Sequence, residues 1–156
     1  MKPEEARVVA HICGDGWLTK YDEKNSLQIV NGRKYRRTRK RYQIGYCNKE
    51  KTLRKQFSRD ITKVYCIKTR SIRIEVRCRS KRIFDRLQKL GGGNSKSWFV
   101  GKEIIKSNKK IKKEWLKSFF DDESTSTFEH GRIRIKSMNE RGLKQVKKLL
   151  NYFKIK

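Results

Sequence analysis

The stretch Val8-Val9-Ala10-His11-Ile12-Cys13-Gly14-Asp15-Gly16 is apolar over most of its length and then breaks on two glycines that flank a single acid. Upstream, Pro3 suits the first turn of a helix, and Glu4 and Glu5 follow where the helix dipole favours anions. The spacing therefore predicts a helix from Pro3 that stops at Gly14-Asp15-Gly16. A second stretch, Leu116-Lys117-Ser118-Phe119-Phe120-Asp121-Asp122-Glu123-Ser124, begins 108 residues later and has the same form. From Ile111, the residues Trp115, Leu116, Phe119 and Phe120 make an apolar stripe that runs into Asp121-Asp122-Glu123. An acid at the C-terminal end of a helix opposes the dipole, so a bound cation is a natural compensation. Two helices that each deliver one carboxylate to a shared point can hold a hard divalent cation through oxygen ligands.

Each helix is followed by a hairpin pattern. Trp17 to Cys47 reads as a long hairpin, because Tyr42, Ile44 and Tyr46 alternate with Arg41, Gln43 and Gly45 in the period of a half-buried strand. Its connecting stretch, Gly32 to Arg41, carries seven cationic side chains among ten residues. Leu53 and Phe57 suggest a short helix within Lys49 to Ser58. A second hairpin is expected next, with Ile72, Ile74, Val76 and Cys78 on one face of a strand and Arg73, Glu75, Arg77 and Arg79 on the other. Ser80 can cap a helix striped by Ile83, Phe84, Leu87 and Leu90, which Gly91-Gly92-Gly93 stops. In the second half, Ile133 and Ile135 alternate with Arg132, Arg134 and Lys136. A capping box in Ser137-x-x-Glu140 would start a last helix striped by Leu143, Val146, Leu149, Leu150 and Phe153. The chain reads as an unequal repeat of helix, hairpin and helix: 1–93, a linker 94–110, and a shorter copy 111–156, packed as one unit.

Charge narrows the function classes. The 156 residues carry 43 Lys+Arg against 16 Asp+Glu, a formal charge of +27, which points to a polyanionic partner. Three Trp, six Tyr and seven Phe, with regularly spaced Leu, Ile and Val, argue against disorder throughout. No run approaches the roughly 18 apolar residues that cross a bilayer, and the N-terminus lacks an apolar signal core, so an intracellular protein, cytoplasmic or organellar, is expected, with no membrane partner. Cys13, Cys47, Cys66 and Cys78 form no C-x-x-C pair and the histidines are His11 and His130, so the cysteines read as small buried residues rather than zinc ligands. His11, Trp98 and Trp115 read as core.

The two nine-residue stretches resemble the motif of the LAGLIDADG homing endonucleases. Lys96-Ser97-Trp98-Phe99-Val100 followed by Lys113-Glu114-Trp115-Leu116 is similar to that family's link between repeats, and the resemblance spans nearly the whole chain. It implies an α+β, pseudo-two-fold fold in which an antiparallel β-sheet saddle is backed by helices and the motif helices pack side by side. Ala10, Gly14 and Ser118 fit the small residues that such packing needs. Asp122 stands at the position of Gly14 and Ser124 at that of Gly16, departures that predict a distorted end of the second helix.

Transferred position by position, the resemblance makes Asp15 and Glu123 metal-binding and catalytic carboxylates, and Lys96 the supporting catalytic cation. It implies phosphodiester hydrolysis with Mg²⁺ or Mn²⁺ as cofactor, in which the metal polarises the scissile phosphate and activates a water, so no covalent enzyme nucleophile is needed. The partner would be a double-stranded DNA site of the intron-homing type. Cationic side chains pointing outward from the saddle, with the amide of Gln43, are then the contact candidates: Arg33, Arg37, Arg39, Arg41, Gln43, Arg73, Arg77, Arg132, Arg134 and Lys136. A monomer is expected, or self-association if the shorter copy has to be completed. A second expectation, from a different class, is a binding relative without cleavage, such as a maturase holding intron RNA. A generic rRNA-binding protein would explain the charge but not the duplicated helix and acid.

Overall fold

The computed structural model describes residues 1–127 and 132–155. Pro3–Cys13 form helix α1, with Pro3 in its first turn and Glu4 and Glu5 behind it, as the sequence predicts. Strands β1 (Gly16–Val30) and β2 (Arg33–Cys47) follow as one long antiparallel hairpin. Its turn is the pair Asn31-Gly32, with φ of 50° and 75°, the two positive values of a two-residue type I′ loop. The expected connection Gly32 to Arg41 is therefore strand instead: the Asn-Gly turn lets Arg33 pair with Val30, and the register runs from there to Gly16 opposite Tyr46. A bulge between Glu23 and Ser26, with Asn25 at φ 55°, shifts it once.

Helix α2 (Lys51–Tyr65) is longer than the expected Lys49 to Ser58, because Ile61 extends the buried stripe begun by Phe57 and the helix ends only where Cys66 turns left-handed at φ 55°. Strands β3 (Arg70–Ile72) and β4 (Glu75–Arg79) form the second hairpin. Here the expected continuous strand is broken. Arg73, at φ 52°, and Ile74 make the turn, so Ile72 and Ile74 are 38% and 45% exposed while Val76 and Cys78 are buried. Helix α3 (Lys81–Lys89) is capped by Ser80, whose hydroxyl accepts from the Ile83 N–H.

A short helix α4 (Lys102–Ile105) leads to α5 (Lys109–Glu123), capped by Asn108 accepting from the Ile111 N–H. Strands β5 (Ser124–Thr127) and β6 (Arg132–Ile135) pair antiparallel, and α6 (Glu140–Tyr152) closes the described chain. The cap of α6 is Asn139 rather than Ser137. Asn139 Oδ1 accepts from the Gly142 N–H while its Nδ2 donates to the Trp98 carbonyl, and Ser137 Oγ accepts only from Asn139 N, one step too early for a box with Glu140.

The fold is α+β. Four antiparallel strands run in the order β1-β2-β4-β3, and β5 and β6 make a separate two-stranded sheet. Ile44, Tyr46, Val76 and Cys78 share the sheet face covered by helices, and each is buried. They join one apolar cluster with α1, α2, α3, α5 and α6, in which Trp115 stacks on Phe119 at 5.0 Å and Trp98 tilts against Phe119 at 4.9 Å. Arg7 on α1 ties this packing to α2 and α5, donating to both oxygens of buried Asp60 and, at 2.6 Å, to Glu114. Cys13 and Cys78 are buried as expected, but Cys66, at the helix cap, is exposed. Among the described residues no helix is long and apolar enough to cross a membrane.

Candidate metal and nucleic-acid site

Helices α1 and α5 lie side by side, and their C-terminal ends carry the acids. Gly14 matters through close approach: a Cβ there would lie 2.8 Å from the Cβ of Asp122. Gly16 matters likewise, since β1 leaves the helix so tightly that a Cβ would sit 2.7 Å from the His11 carbonyl. Ser124, at the matching place after α5, starts β5 in extended conformation, and its N–H bonds back to the Phe120 carbonyl. The expected distortion of the second helix end is absent. The glycine on α1 provides the room that the bulkier Asp122 on α5 requires.

Asp15 is exposed, and its place is set by β2: the Cys47 N–H bonds to the Asp15 carbonyl at 3.1 Å, and Asn48 Nδ2 donates to its carboxylate at 2.8 Å. The surrounding helix ends and sheet strip part of its hydration, which with the charge of Asp122 raises its pKa, and the Asn48 hydrogen bond works in the opposite direction. Glu123 is half-buried. Loss of hydration, then the charges of Asp15 and Asp122, push its pKa up to about 7. Desolvation also raises that of Asp121, against the pull of Lys117. The acids thus gather into one region of negative charge, only partly offset by Asn48, Lys117 and His11, in a chain of charge +27.

Asp122 stands apart from the other three. Its Oδ1 accepts from the Tyr46 hydroxyl at 2.6 Å and its Oδ2 lies 2.9 Å from His11 Nδ1, with the side chains of both Asp122 and His11 fully inaccessible. Burial and the Asp122 charge drive the Tyr46 pKa upward, so its hydroxyl stays a donor. Among the described residues no group of three or more His, Cys, Asp or Glu converges as a ready metal cage. The charge of Asp15 acts on Glu123, whereas neither acts on Asp121, which leaves Asp15 and Glu123 as the pair. This oxygen-only donor set fits a hard cation that retains several waters, as Mg²⁺ does. Burial keeps the neighbouring Cys13 thiol protonated and unsuited to the role of ligand.

Glu123 opens on a cavity of about 340 Å³ lined also by Cys13, Gly14, Ser95, Trp98 and Lys136. Lys96 is exposed in the adjoining turn, where its N–H bonds to Asn94 Oδ1; the cavity wall is formed by Ser95, and the cation on it is Lys136.

The register sorts the remaining cations. Arg33, Arg37, Arg39, Arg41 and Gln43 alternate along β2 on the face away from the helices, the face that also carries Gly45 and, on β4, Arg77. Arg33, Arg37 and Arg39 are exposed, whereas Arg41 pairs with Glu23, and Arg77 pairs with Glu75 and lies over the Trp17 ring at 5.8 Å. Arg79 opposite Gln43 and Arg70 opposite Arg77 complete this face. The i, i+2 alternation from Arg77 points to Arg79, but no such pattern marks Arg70. Arg73 sits in the β3–β4 turn and not on the strand face. In the second sheet Arg134 lines an apolar groove between α5, β6 and α6, beside Ile133, which is 64% exposed, and Ile135. The backbone of Arg132 pairs with Thr127, and its side chain lies outside the described residues. The expected apolar face of β6 is thus only half covered: β2 has β4 on its second edge, and among the described residues no strand lies beyond β6.

The chain matches no protein-family model, and a search of curated proteins finds no match either.

Proposed function

We propose that this chain is a site-specific, divalent-metal-dependent double-strand DNA endonuclease of the LAGLIDADG homing type, with its two helix-hairpin copies related by a pseudo-two-fold axis between α1 and α5. The observation that carries the reading is the gathering of Asp15 and Glu123 at the ends of two packed helices, with Glu123 pushed up to about 7 by lost hydration and by its acidic neighbours. Carboxylates that repel one another at adjoining helix ends are stabilised by a shared cation. The arginine face of β2 and β4 adds a surface suited to phosphates and base edges.

In this reading Asp15 and Glu123 hold Mg²⁺ or Mn²⁺, which when bound supplies Lewis-acid polarisation of the scissile phosphate and a water acidic enough to attack it. Asn48 keeps the Asp15 carboxylate oriented. Lys136, on the cavity that Glu123 faces, is placed to meet developing phosphate charge, a part that the sequence resemblance gives to Lys96. Arg33, Arg37 and Arg39 anchor the backbone of the duplex on one side.

A second reading is favoured by the small second sheet: among the described residues β5 and β6 have four residues each against 15 in β1 and in β2, so the described part of that half offers less surface. A nucleic-acid-binding relative without cleavage, such as an intron RNA maturase, needs only the larger half. Incubating the chain with a supercoiled plasmid pool carrying randomised inserts, with Mg²⁺, Mn²⁺ or EDTA, separates the two. The endonuclease reading expects metal-dependent linear product that Asp15→Asn and Glu123→Gln abolish. Tight binding with neither strand cut under either ion leaves the binding reading.

A further inference from the structure

Asp122 is where the second helix departs from the first. Its counterpart on α1 is Gly14, and the side chain of Asp122 occupies the room next to that glycine, with Oδ2 2.8 Å from where a Gly14 Cβ would be. A carboxylate inserted between two packed helices loses its water and must be held by donors. Both of its oxygens are held: one by His11 on α1, the other by Tyr46 on β2. The donors are fixed in turn, because Tyr46 is buried and stacks on Phe57 at 4.9 Å, and the His11 ring packs on Tyr46 at 4.8 Å. An apolar contact would join the helices equally well, but it would not set their relative position along and around the axis as two directed hydrogen bonds do.

We propose that Asp122 is a positioning residue: bound to α1 and β2, it fixes the mutual setting of Asp15 and Glu123 and does not itself ligate metal. The inference rests on reading Asp15 and Glu123 as the metal pair. Three observations carry it. Asp122 directly precedes Glu123, and Gly14, its contact across the helix pair, directly precedes Asp15. The elements it joins are those that present the acids: α5 ends in Glu123, α1 leads into Asp15, and β2 leads into Asn48, which holds the Asp15 carboxylate. Finally, the side chain is fully inaccessible and each of its oxygens is already engaged, Oδ1 by Tyr46 and Oδ2 by His11, within the packed helices and sheet.

The test uses the full chain with Mn²⁺ as probe, read by titration calorimetry, together with single-turnover cleavage and duplex affinity in EDTA. Tyr46→Phe and His11→Leu each remove one donor, change no acid and keep the volume close. Both are expected to weaken Mn²⁺ binding and slow cleavage by about 10-fold or more, the range seen when an outer hydrogen-bond partner of a metal ligand is lost. Duplex affinity in EDTA should stay as in wild type. His11→Asn, which offers a side-chain N–H near the place of Nδ1, should recover most of the loss. A role confined to stability would lower the melting temperature of the variants and leave the Mn²⁺ affinity of the folded chains unchanged, without recovery in His11→Asn. Wild-type Mn²⁺ affinity in both Tyr46→Phe and His11→Leu overturns the proposal, and the metal-pair reading survives if Asp15→Asn still abolishes binding. Should Asp15→Asn bind Mn²⁺ like wild type, the metal-pair reading fails and the proposal with it. Loss of binding in Asp122→Asn as deep as in Glu123→Gln, with Tyr46→Phe and His11→Leu unaffected, would make Asp122 a ligand and also overturn it.

Discussion

Gly14→Ala tests the contact between the two helix ends directly. Gly14 has φ −85°, outside the left-handed region, so its need for glycine comes from the neighbour and not from a positive φ. The added methyl would stand 2.8 Å from the Cβ and from Oδ2 of Asp122 and 3.2 Å from its Cγ. Ordinary carbon contacts lie at about 3.5–4.0 Å, so the helix ends must separate by several tenths of an ångström or Asp122 must swing away. Swinging away breaks two hydrogen bonds of a buried carboxylate, at about 1–3 kcal/mol or more for each group left unsatisfied, so separation is the cheaper response. Overpacking of this kind costs about 1–3 kcal/mol. For a chain of this size that lowers Tm by about 2–4 °C per kcal/mol, hence roughly 4–8 °C for a central value of about 2 kcal/mol. Thermal unfolding followed by circular dichroism measures it. The control is the same substitution in an Asp122→Gly background, where the clashing Cβ is gone and the added cost should fall below about 1 kcal/mol, a coupling expected of residues in contact. An equal penalty in both backgrounds would refute the argument that Gly14 exists to seat Asp122.

Three further outcomes are expected. Because the folded-state pKa of Glu123 is raised to about 7 from an ordinary value near 4.5, the unfolded chain binds fewer protons between those values. The wild-type protein without metal should therefore lose stability relative to Glu123→Gln as pH rises from about 4.5 through 7, and Mn²⁺ affinity should rise over the same window; parallel Tm curves for the two proteins would contradict this. Asn139→Ala removes both the α6 cap and the bond to the Trp98 carbonyl and should cost about 1–2 kcal/mol in urea unfolding, whereas Ser137→Ala should be within about 0.5 kcal/mol of wild type. Arg37→Ala and Arg39→Ala should each reduce the slope of log Kd for duplex DNA against log salt by about one, as loss of a phosphate contact does, and an unchanged slope in both would remove that β2 face from the interface.

What could be read from sequence follows from what each signal encodes. Helix ends were legible because Gly14-Asp15-Gly16 and Asp121-Asp122-Glu123 interrupt apolar stripes, and caps such as Ser80 announce themselves by residue type. The long hairpin is legible in its alternation, but its Asn31-Gly32 turn is hidden, because the dense charge of Arg33 to Arg41 resembles a loop. Only pairing shows that residues exposed on both faces belong to a strand. The opposite error fell on Ile72 and Ile74, where period-two alternation ran straight through a turn, because a hydrophobic pattern carries no record of the positive φ at Arg73. Asp15 and Glu123 stood out as acids in a basic chain. The link from Asp122 to His11 and Tyr46 did not, since it joins residues 111 and 76 apart in sequence whose meeting depends on how α1, α5 and β2 pack. His11 reads as core and is buried, and its polar function inside that core is a tertiary fact.

The acids are duplicated, but their supports are not. Asp15 is steadied from the sheet by the Cys47 backbone and Asn48, both at the end of a strand that is paired on its two edges. Glu123 leads into β5, which with β6 is short among the described residues, and its steadying contact runs backward through Asp122 to the first half of the chain. The two carboxylates are consequently unequal in stiffness: the position of Asp15 depends on its own sheet, whereas that of Glu123 depends on the interface between the helices. Perturbing β5 and β6 should leave Asp15 in place. Loosening the helix pair, by contrast, should shift Glu123 relative to Asp15. In a two-carboxylate site their mutual setting is what selects a metal, so the seam between α1 and α5, rather than either sheet, is the element on which the proposed chemistry depends.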